Sequence, residues 1–444
     1  MRVSTITWQT WARRYSDNIK KLSELRNKYL DNPTSPELVQ KIENIKFYLR
    51  KELDKEFKIC LKENNLSLNI LTETRPFHWA LEFWYVFFDE NGEILADKLR
   101  GFDAVVGNPP YVDYRSVKPI QAHKFFKKVY FSTNVPEKYN LYVVFIEKAL
   151  SLLSSSGKFG YINPVQWMGS SYGRKLREFI LNNDFIREID DLSTIGVFDE
   201  PTLTNLGLFF FDKTPPGDNI KIGYKITKND IIERKISFTQ IKKEDLVFGK
   251  DKVFLFDPNM KVRSILTRLI SENHTFSDIV DLEWGTSKSG YGRKKINIED
   301  YKKLSPSQKN RFAPIIQTAD IGRHIVLWKG EFIDKSIFSD IKQKQFKNEK
   351  IIFTRRSSTI KCAYDNKGFF LGKVAFTSKF KQKINPIFLL GILNSNLLNF
   401  FFVKVYETIH PGGNLRIDIP YLNNLPVFDK EDTRISKLVN KIIL

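Results

Sequence analysis

The sequence predicts an α/β protein with helices at its N-terminus and an α+β domain at its C-terminus, and three observations carry that prediction. Apolar residues recur at helical spacing within the first 75 positions; short apolar runs then alternate with helical stretches from Phe77 to Asp212; and after about residue 270 strand-like runs are separated by basic turns. The 444 residues suit two to three domains, with boundaries expected at 1–75, 76–265 and 266–444.

In the first region Ser35-Pro36 is a start signal, a capping hydroxyl followed by a proline in the first turn. Leu38, Ile42, Ile45, Leu49, Leu53 and Phe57 follow at three- and four-residue steps, forming a stripe that needs a partner surface. Farther on, Phe102–Gly107 reads as a fully buried strand, Leu141–Leu153 as a helix and Lys158–Asn163 as the next strand. Lys175–Asn182 is helical again, followed by strands over Phe185–Leu192 and Leu206–Asp212. Such alternation predicts a parallel sheet whose ligands sit at the carboxyl ends of its strands. Pro215-Pro216-Gly217-Asp218 marks a hairpin or linker. In the last region Lys350–Thr354 and Phe369–Ala375 read as strands, and Ile387–Val403 as one buried helix. That helix is interrupted by Asn394, Ser395, Asn396 and Asn399 and falls short of the roughly 20 apolar residues of a membrane span.

Composition narrows the function classes. With 42% hydrophobic and 27% charged residues, a disordered or fibrous chain is excluded. The 71 Lys+Arg against 51 Asp+Glu give a net charge of +20, which favours a polyanionic partner, nucleic acid before a membrane surface. Cys60 and Cys362 belong to no Cys/His cluster, which argues against a structural zinc or a disulfide framework, and no metal site is expected. A reducing cytoplasm fits this usage. The first residues lack the apolar core of a secretory signal.

The strand ending at Gly107 runs directly into Asn108-Pro109-Pro110-Tyr111. Taken alone, this tetrapeptide is also an ordinary turn. At the carboxyl end of a parallel strand it becomes a candidate site. An exocyclic amino group of a purine is a poor nucleophile because its lone pair is delocalised into the ring. Two acceptors aimed at its N–H bonds draw that lone pair out, and the Asn108 side-chain oxygen and the Pro109 carbonyl can supply them on a loop stiffened by two prolines. Tyr111 offers a face on which an extruded base can stack.

The run from Phe77-His78-Trp79 through Gly101 to Tyr111-Val112 resembles motif IV, with its lead-in, of the adenine-specific DNA methyltransferases fused to type IIG restriction enzymes. Asn140-Leu141-Tyr142 through Glu147 resembles the next family motif, with Asn140 where an Asp is usual. Gly157–Pro164 with Trp167, then Tyr172-Gly173 and Leu176-Arg177, resembles the following strand and helix. Gly196-Val197-Phe198, Thr204 and the Leu206–Phe211 strand resemble the motif whose aromatic residue covers the other face of the flipped adenine, a role that falls to Phe198, although a plain core aromatic is the alternative. Asp281–Thr286, Gly290-Tyr291-Gly292 and Ile316–Ile321 resemble the TaqI-like target-recognition domain, as do Leu393-Asn394-Ser395, His410-Pro411-Gly412-Gly413 and Leu425-Pro426. The likeness spans roughly residues 75–430. It implies a partial class I methyltransferase (Rossmann-like) sheet lacking its first strands, an α+β target-recognition domain, double-stranded DNA as partner and S-adenosylmethionine as methyl donor, with Asn108 and Pro110 bordering the donor. In the recognition region Arg293, Lys294, Lys295, Arg355, Arg356, Lys361 and Arg416 are the candidate DNA contacts, each alternatively a solvated surface charge, with Arg355-Arg356 foremost.

The family's glycine-rich donor loop precedes the Asn-Pro-Pro-Tyr motif, yet before Gly101 the only glycine is Gly92. The resemblance therefore implies that the chain starts partway into the usual enzyme. The strand that would neighbour Phe102–Gly107 is missing, which leaves an edge open to another chain. The first expectation is one part of a split or truncated adenine-N6 methyltransferase whose donor-binding subunit is encoded upstream. Helices at 1–75 could instead cover the edge, leaving a catalytically silent DNA-recognition module. A third reading, methylation of RNA or of a protein glutamine, is opposed by the basic recognition region. No Pro-Asp…Asp/Glu-x-Lys nuclease constellation is evident, so cleavage by this chain alone is not expected.

Overall fold

The computed structural model describes residues 10–117, 121–136, 138–196, 205–214, 217–286, 290–406, 415–428 and 431–443. Phe198, with Val197 and Thr204, and the His410–Gly413 run lie outside the described residues. The chain divides into two compact units, residues 1–256 and 257–444.

In the first unit, helices α1 (Ser16–Asp31) and α2 (Pro36–Glu63) form an antechamber of paired helices. Helix α2 starts at the expected cap: Ser35 Oγ accepts from the Leu38 N–H at 3.4 Å, and Pro36 opens the first turn. Its stripe packs as the spacing requires, with buried Leu49 and partly buried Ile42, Ile45 and Leu53 set among Ile19 and Leu22 of α1 and the aromatic turns at Trp79–Glu82 and Trp84–Phe87. Phe57 instead meets Phe125 edge-on at 5.4 Å, from helix α3 (Gln121–Val129).

The sheet comprises β1 (Phe102–Gly107), β2 (Leu153–Pro164), β3 (Ile186–Asp191), β4 (Leu206–Asp212), β5 (Asn219–Gly223) and β6 (Thr239–Lys242), in the order β1-β2-β4-β3-β5-β6. The expected parallel sheet is corrected to a mixed one. Strands β1 and β2 are parallel, as are β3 and β5, whereas β4 runs antiparallel to both β2 and β3, and β6 to β5. Helices α4 (Tyr142–Leu152) and α5 (Arg174–Asn182) supply the crossovers that parallel pairing needs. Strand β4 turns back and inserts between β2 and β3. The Pro215–Asp218 run, whose Pro215 and Pro216 lie outside the described residues, falls between β4 and β5 of one sheet rather than between domains. Phe159 of β2 and Phe211 of β4 stack at 5.0 Å beneath Val143, Ile146, Leu176 and Ile180 of the two helices. Helix α5 is anchored by buried Arg177, which donates to the carbonyls of Trp167 and Ser170 at 2.5 and 2.8 Å.

The reading of Phe102–Gly107 as fully buried is also corrected. The strand is real, but it lies at the edge with β2 as its one neighbour; Asp103 and Ala104 are exposed and Val106 is 84% exposed. Among the described residues the N-terminal helices do not cover that edge. Their cluster reaches Phe102, at the start of the strand, and stops there.

The second unit holds a four-stranded antiparallel sheet, β7 (Val280–Trp284), β15 (Ala375–Phe380), β11 (Lys350–Phe353) and β13 (Cys362–Asp365) in spatial order. A second sheet has the order β8 (Lys295–Asn297), β10 (Glu331–Asp334), β9 (Phe312–Ile316), β14 (Phe370–Leu371). Between β11 and β13 the short strand β12 (Arg356–Ser357) pairs with β16 (Leu415–Arg416). The single helix expected over Ile387–Val403 is two, α6 (Pro386–Leu393) and α7 (Asn396–Tyr406), bent by 53°. The break has a physical cause. Buried Asn394 turns its amide to the backbone of Cys362, accepting from its N–H at 3.1 Å and donating to its carbonyl at 2.9 Å. Among the described residues no single helix is long and apolar enough to cross a membrane, and no metal-ligating cluster occurs.

Candidate functional site

Strands β1, β2, β3 and β5 run in one direction, so their carboxyl ends, at Gly107, Pro164, Asp191 and Gly223, lie along one edge of the first unit's sheet. Asn108-Pro109-Pro110-Tyr111 leaves the sheet there. Asn108 and Pro110 are exposed and Pro109 is buried, so the turn is seated by one proline while the amide stays open. Tyr111 is half-buried. Its hydroxyl donates to the Ile162 carbonyl at 3.0 Å, its ring meets Tyr142 edge-on at 6.4 Å, and burial pushes its pKa up to about 12. Tyr111 therefore remains neutral near pH 7, with its hydroxyl anchored and its ring packed beside Tyr142.

The loop is held again immediately downstream. The Leu141 N–H donates to the Val112 carbonyl at 2.8 Å and the Tyr114 N–H to the Tyr139 carbonyl at 3.1 Å, with a bridge between Asp113 and Asn140. Two motifs far apart in sequence thus form one structure. Tyr142 is fully buried with its hydroxyl 2.7 Å from that of Tyr172, and Asn140 is a further hydrogen-bond partner; burial raises the Tyr142 pKa well above the ordinary phenol. Farther along the same edge, burial and the neighbouring Glu188 raise the Asp190 carboxyl to about 7, and burial raises Asp191 as well. Neither aspartate was singled out from sequence, because in a strand of alternating burial an Asp reads as a surface residue.

The donor-binding side can be tested against these residues. Gly92, the sole glycine before Gly101, has φ of +81°, and a Cβ there would lie 2.2 Å from the Ser16 carbonyl oxygen. It serves the packing of a turn against α1 and offers no phosphate or ribose cradle. Among the described residues before β1, this turn does not supply the glycine-rich cradle of a nucleoside-sized methyl donor.

In the second unit the basic candidates separate. Arg355 directly precedes β12; its guanidinium lies 5.2 Å from the Trp284 ring centroid, with Nε 3.8 Å from Asp418 Oδ1. Arg356 pairs across strands with Arg416, and Arg416 Nε donates to Asp418 Oδ2 at 2.6 Å. Lys361 closes the same hairpin, its carbonyl accepting from the Thr354 N–H at 3.0 Å. These four residues are brought together. Arg293 and Lys294 stand exposed on a 3-10 turn, and Lys295 is ion-paired to Glu331 at 2.7 Å, which leaves it a structural cation. Trp284 and Asp418 were missed as contacts of Arg355; the i, i+2 spacing of Arg416 and Asp418 at a strand end is the only local signal of that arrangement.

Residues 35–198 match the Eco57I restriction-modification methylase family model, and residues 313–427 the TaqI-like C-terminal specificity domain. The chain is 28% identical over 278 residues to the type II methyltransferase M.BstVI of Geobacillus stearothermophilus, covering 59% of this chain and 49% of that protein. It is 33% identical over 140 residues to the type II methyltransferase M.PaeR7I of Pseudomonas aeruginosa, covering 31% and 22% respectively. The chain thus spans half or less of these relatives' length. Among solved structures, the type IIL restriction-modification enzyme MmeI in complex with DNA superposes with a TM-score of 0.50 at 10% identity, over 78% of this chain and 49% of that one, a likeness of fold.

Proposed function

We propose, for a chain that joins an Eco57I restriction-modification methylase domain to a TaqI-like C-terminal specificity domain, that it is the acceptor-binding and sequence-reading part of a site-specific DNA adenine-N6 methyltransferase. The observation that carries this reading is the open Asn108 amide on a proline-seated turn at the carboxyl end of β1, beside the anchored ring of Tyr111. In this reading Asn108 and the Pro109 carbonyl accept from the two N–H bonds of a flipped adenine, and Tyr111 stacks on its face. Phe198 is assigned the opposite face. Pro110 and Asn108 border the donor, S-adenosylmethionine, which when bound supplies the electrophilic methyl group.

The body of the donor is assigned to a segment that adds to the exposed edge of β1, as a separate subunit or as further chain. Support comes from β1, which among the described residues has one neighbour and carries Val106 84% exposed, so an added segment would meet unpaired backbone groups beside open apolar surface. The second unit, with its basic hairpin, is assigned to the DNA, and the place of work to the cytoplasm.

A second reading, a catalytically silent sequence-specific DNA-binding module, rests on the TaqI-like match over residues 313–427 and the net charge of +20. Calorimetry with S-adenosylmethionine separates the two, on the chain alone and mixed with the product of the gene immediately upstream. Binding in the mixture alone, followed by methylation of adenine in duplex DNA, is the expected result. DNA binding without methylation in any mixture would establish the silent module.

A further inference from the structure

The two arginines that the sequence presents as a pair stand in different surroundings. Arg355 is half-buried. Its guanidinium sits over Trp284, the last residue of β7, and its Nε is 3.8 Å from Asp418 Oδ1, a buried oxygen with no hydrogen-bond partner. Its backbone is fixed as well, the carbonyl accepting from the Ile417 N–H at 3.0 Å. Asp418 is itself oriented by Arg416, which takes the other carboxylate oxygen at 2.6 Å. Arg356, the next residue and the first of β12, is exposed.

These surroundings suit different tasks. A phosphate is an isotropic anion that a mobile, exposed cation satisfies, and a carboxylate close by weakens that attraction. Reading a base edge requires a guanidinium fork held in one place, since the paired acceptors N7 and O6 of guanine must be met together. An aromatic face and a carboxylate at 3.8 Å, too far for a hydrogen bond, hold Arg355 while its side chain stays 43% exposed.

Resting on the DNA-recognition reading above, we infer that Arg355 is a specificity-determining residue that reads a guanine in the recognised sequence, with Trp284 and Asp418 as its positioning residues, while Arg356 contacts phosphate. The test is selection of a duplex library with a randomised eight-base-pair core by the full-length chain and by R355K, W284F and R356A, with the salt dependence of binding to the selected duplex measured for each. R355K keeps the charge and loses the fork. It is expected to lower the preference for guanine at one position by about fivefold to 150-fold, with the salt slope and melting temperature unchanged. W284F should weaken the same preference in the same column, which keeps the proposal testable if R355K fails to fold. R356A should keep the selected sequence and lower the salt slope by about one counterion.

A selected sequence for R355K and W284F identical to that of the unaltered chain would overturn the assignment while leaving DNA recognition standing. A selected sequence without guanine would do the same. No sequence selection by the unaltered chain would overturn the recognition reading and this assignment with it.

Discussion

Lys350 and Asp365 are paired directly across β11 and β13, both side chains fully buried, with Nζ 2.6 Å from Oδ2. Lys350 also donates to the carbonyls of Phe346 and of Asn348, the latter at 3.2 Å, and Asp365 accepts from the N–H groups of Lys367 and Phe369 at 2.8 and 3.0 Å. The pair fixes the register of the hairpin that presents Arg355 and Arg356. Replacing Asp365 by Asn removes the charge and one of the two carboxylate oxygens that separately accept the Lys367 and Phe369 N–H groups, so the loss combines an uncompensated buried ammonium with one orphaned turn N–H. Burial already pushes the Lys350 pKa down against the opposing pull of Asp365. Breaking a buried pair by removing one partner costs about 3–5 kcal/mol, whereas replacing both is close to neutral. Hydrogen exchange followed by mass spectrometry reads this locally, without requiring the two-unit chain to unfold in one step. For peptides from β11 and β13 the D365N chain should exchange roughly 150-fold to several-thousand-fold faster, taking 1.36 kcal/mol per decade. The double substitution K350M/D365N should recover the part of the protection that the unpaired ammonium costs. Unchanged protection in D365N, or a double variant as labile as the single one, would refute the reasoning that an unpaired buried charge carries the cost.

Three further outcomes are expected. Asn108→Ala should abolish methylation in the reconstituted mixture and leave DNA affinity within about twofold, since an exposed amide contributes little to sequence reading; comparable methylation by the variant would remove Asn108 from the site. Asp190, raised to about 7 by burial and by Glu188, binds its proton more tightly folded than unfolded, so its contribution to stability is full below about pH 4 and is lost as the pH rises toward 7, at up to about 1.4 kcal/mol per pH unit. Melting temperatures of Asp190→Asn across that window should fall less steeply than those of the unaltered chain, a residual slope staying with Asp191; parallel profiles would contradict the shift. Gly173→Ala places a Cβ 1.9 Å from the Trp167 carbonyl oxygen, which Arg177 also engages, and should cost about 1–3 kcal/mol in urea unfolding followed by tryptophan fluorescence, with an unchanged midpoint counting against a rigid contact.

Local signals determined a good deal of this protein. The Ser35-Pro36 cap, the α2 stripe and the Leu206–Asp212 strand needed only nearest-neighbour chemistry and periodicity, and the Asn-Pro-Pro-Tyr turn was placed by the apolar run before it. Pairing direction was not available in that way. Strand β4 has the same apolar pattern whichever way it runs, and its insertion between β2 and β3 makes the sheet mixed. The open edge of β1 followed from the family resemblance, whereas the exposure of Asp103, Ala104 and Val106 did not, since Ala104-Val105-Val106 taken by itself reads as core. Asn394 shows the same limit, as an asparagine in an apolar run becomes a helix break only when a distant strand end, at Cys362, offers it a backbone N–H and a carbonyl. Composition gave the sign of the partner's charge, but whether a given arginine is solvated, paired or poised depends on residues tens of positions away. Only the tertiary structure sets Trp284 and Asp418 around Arg355 and leaves Arg356 exposed. Side-chain type and spacing are properties of the chain; strand partners, burial and the charges that meet in space are properties of the packing.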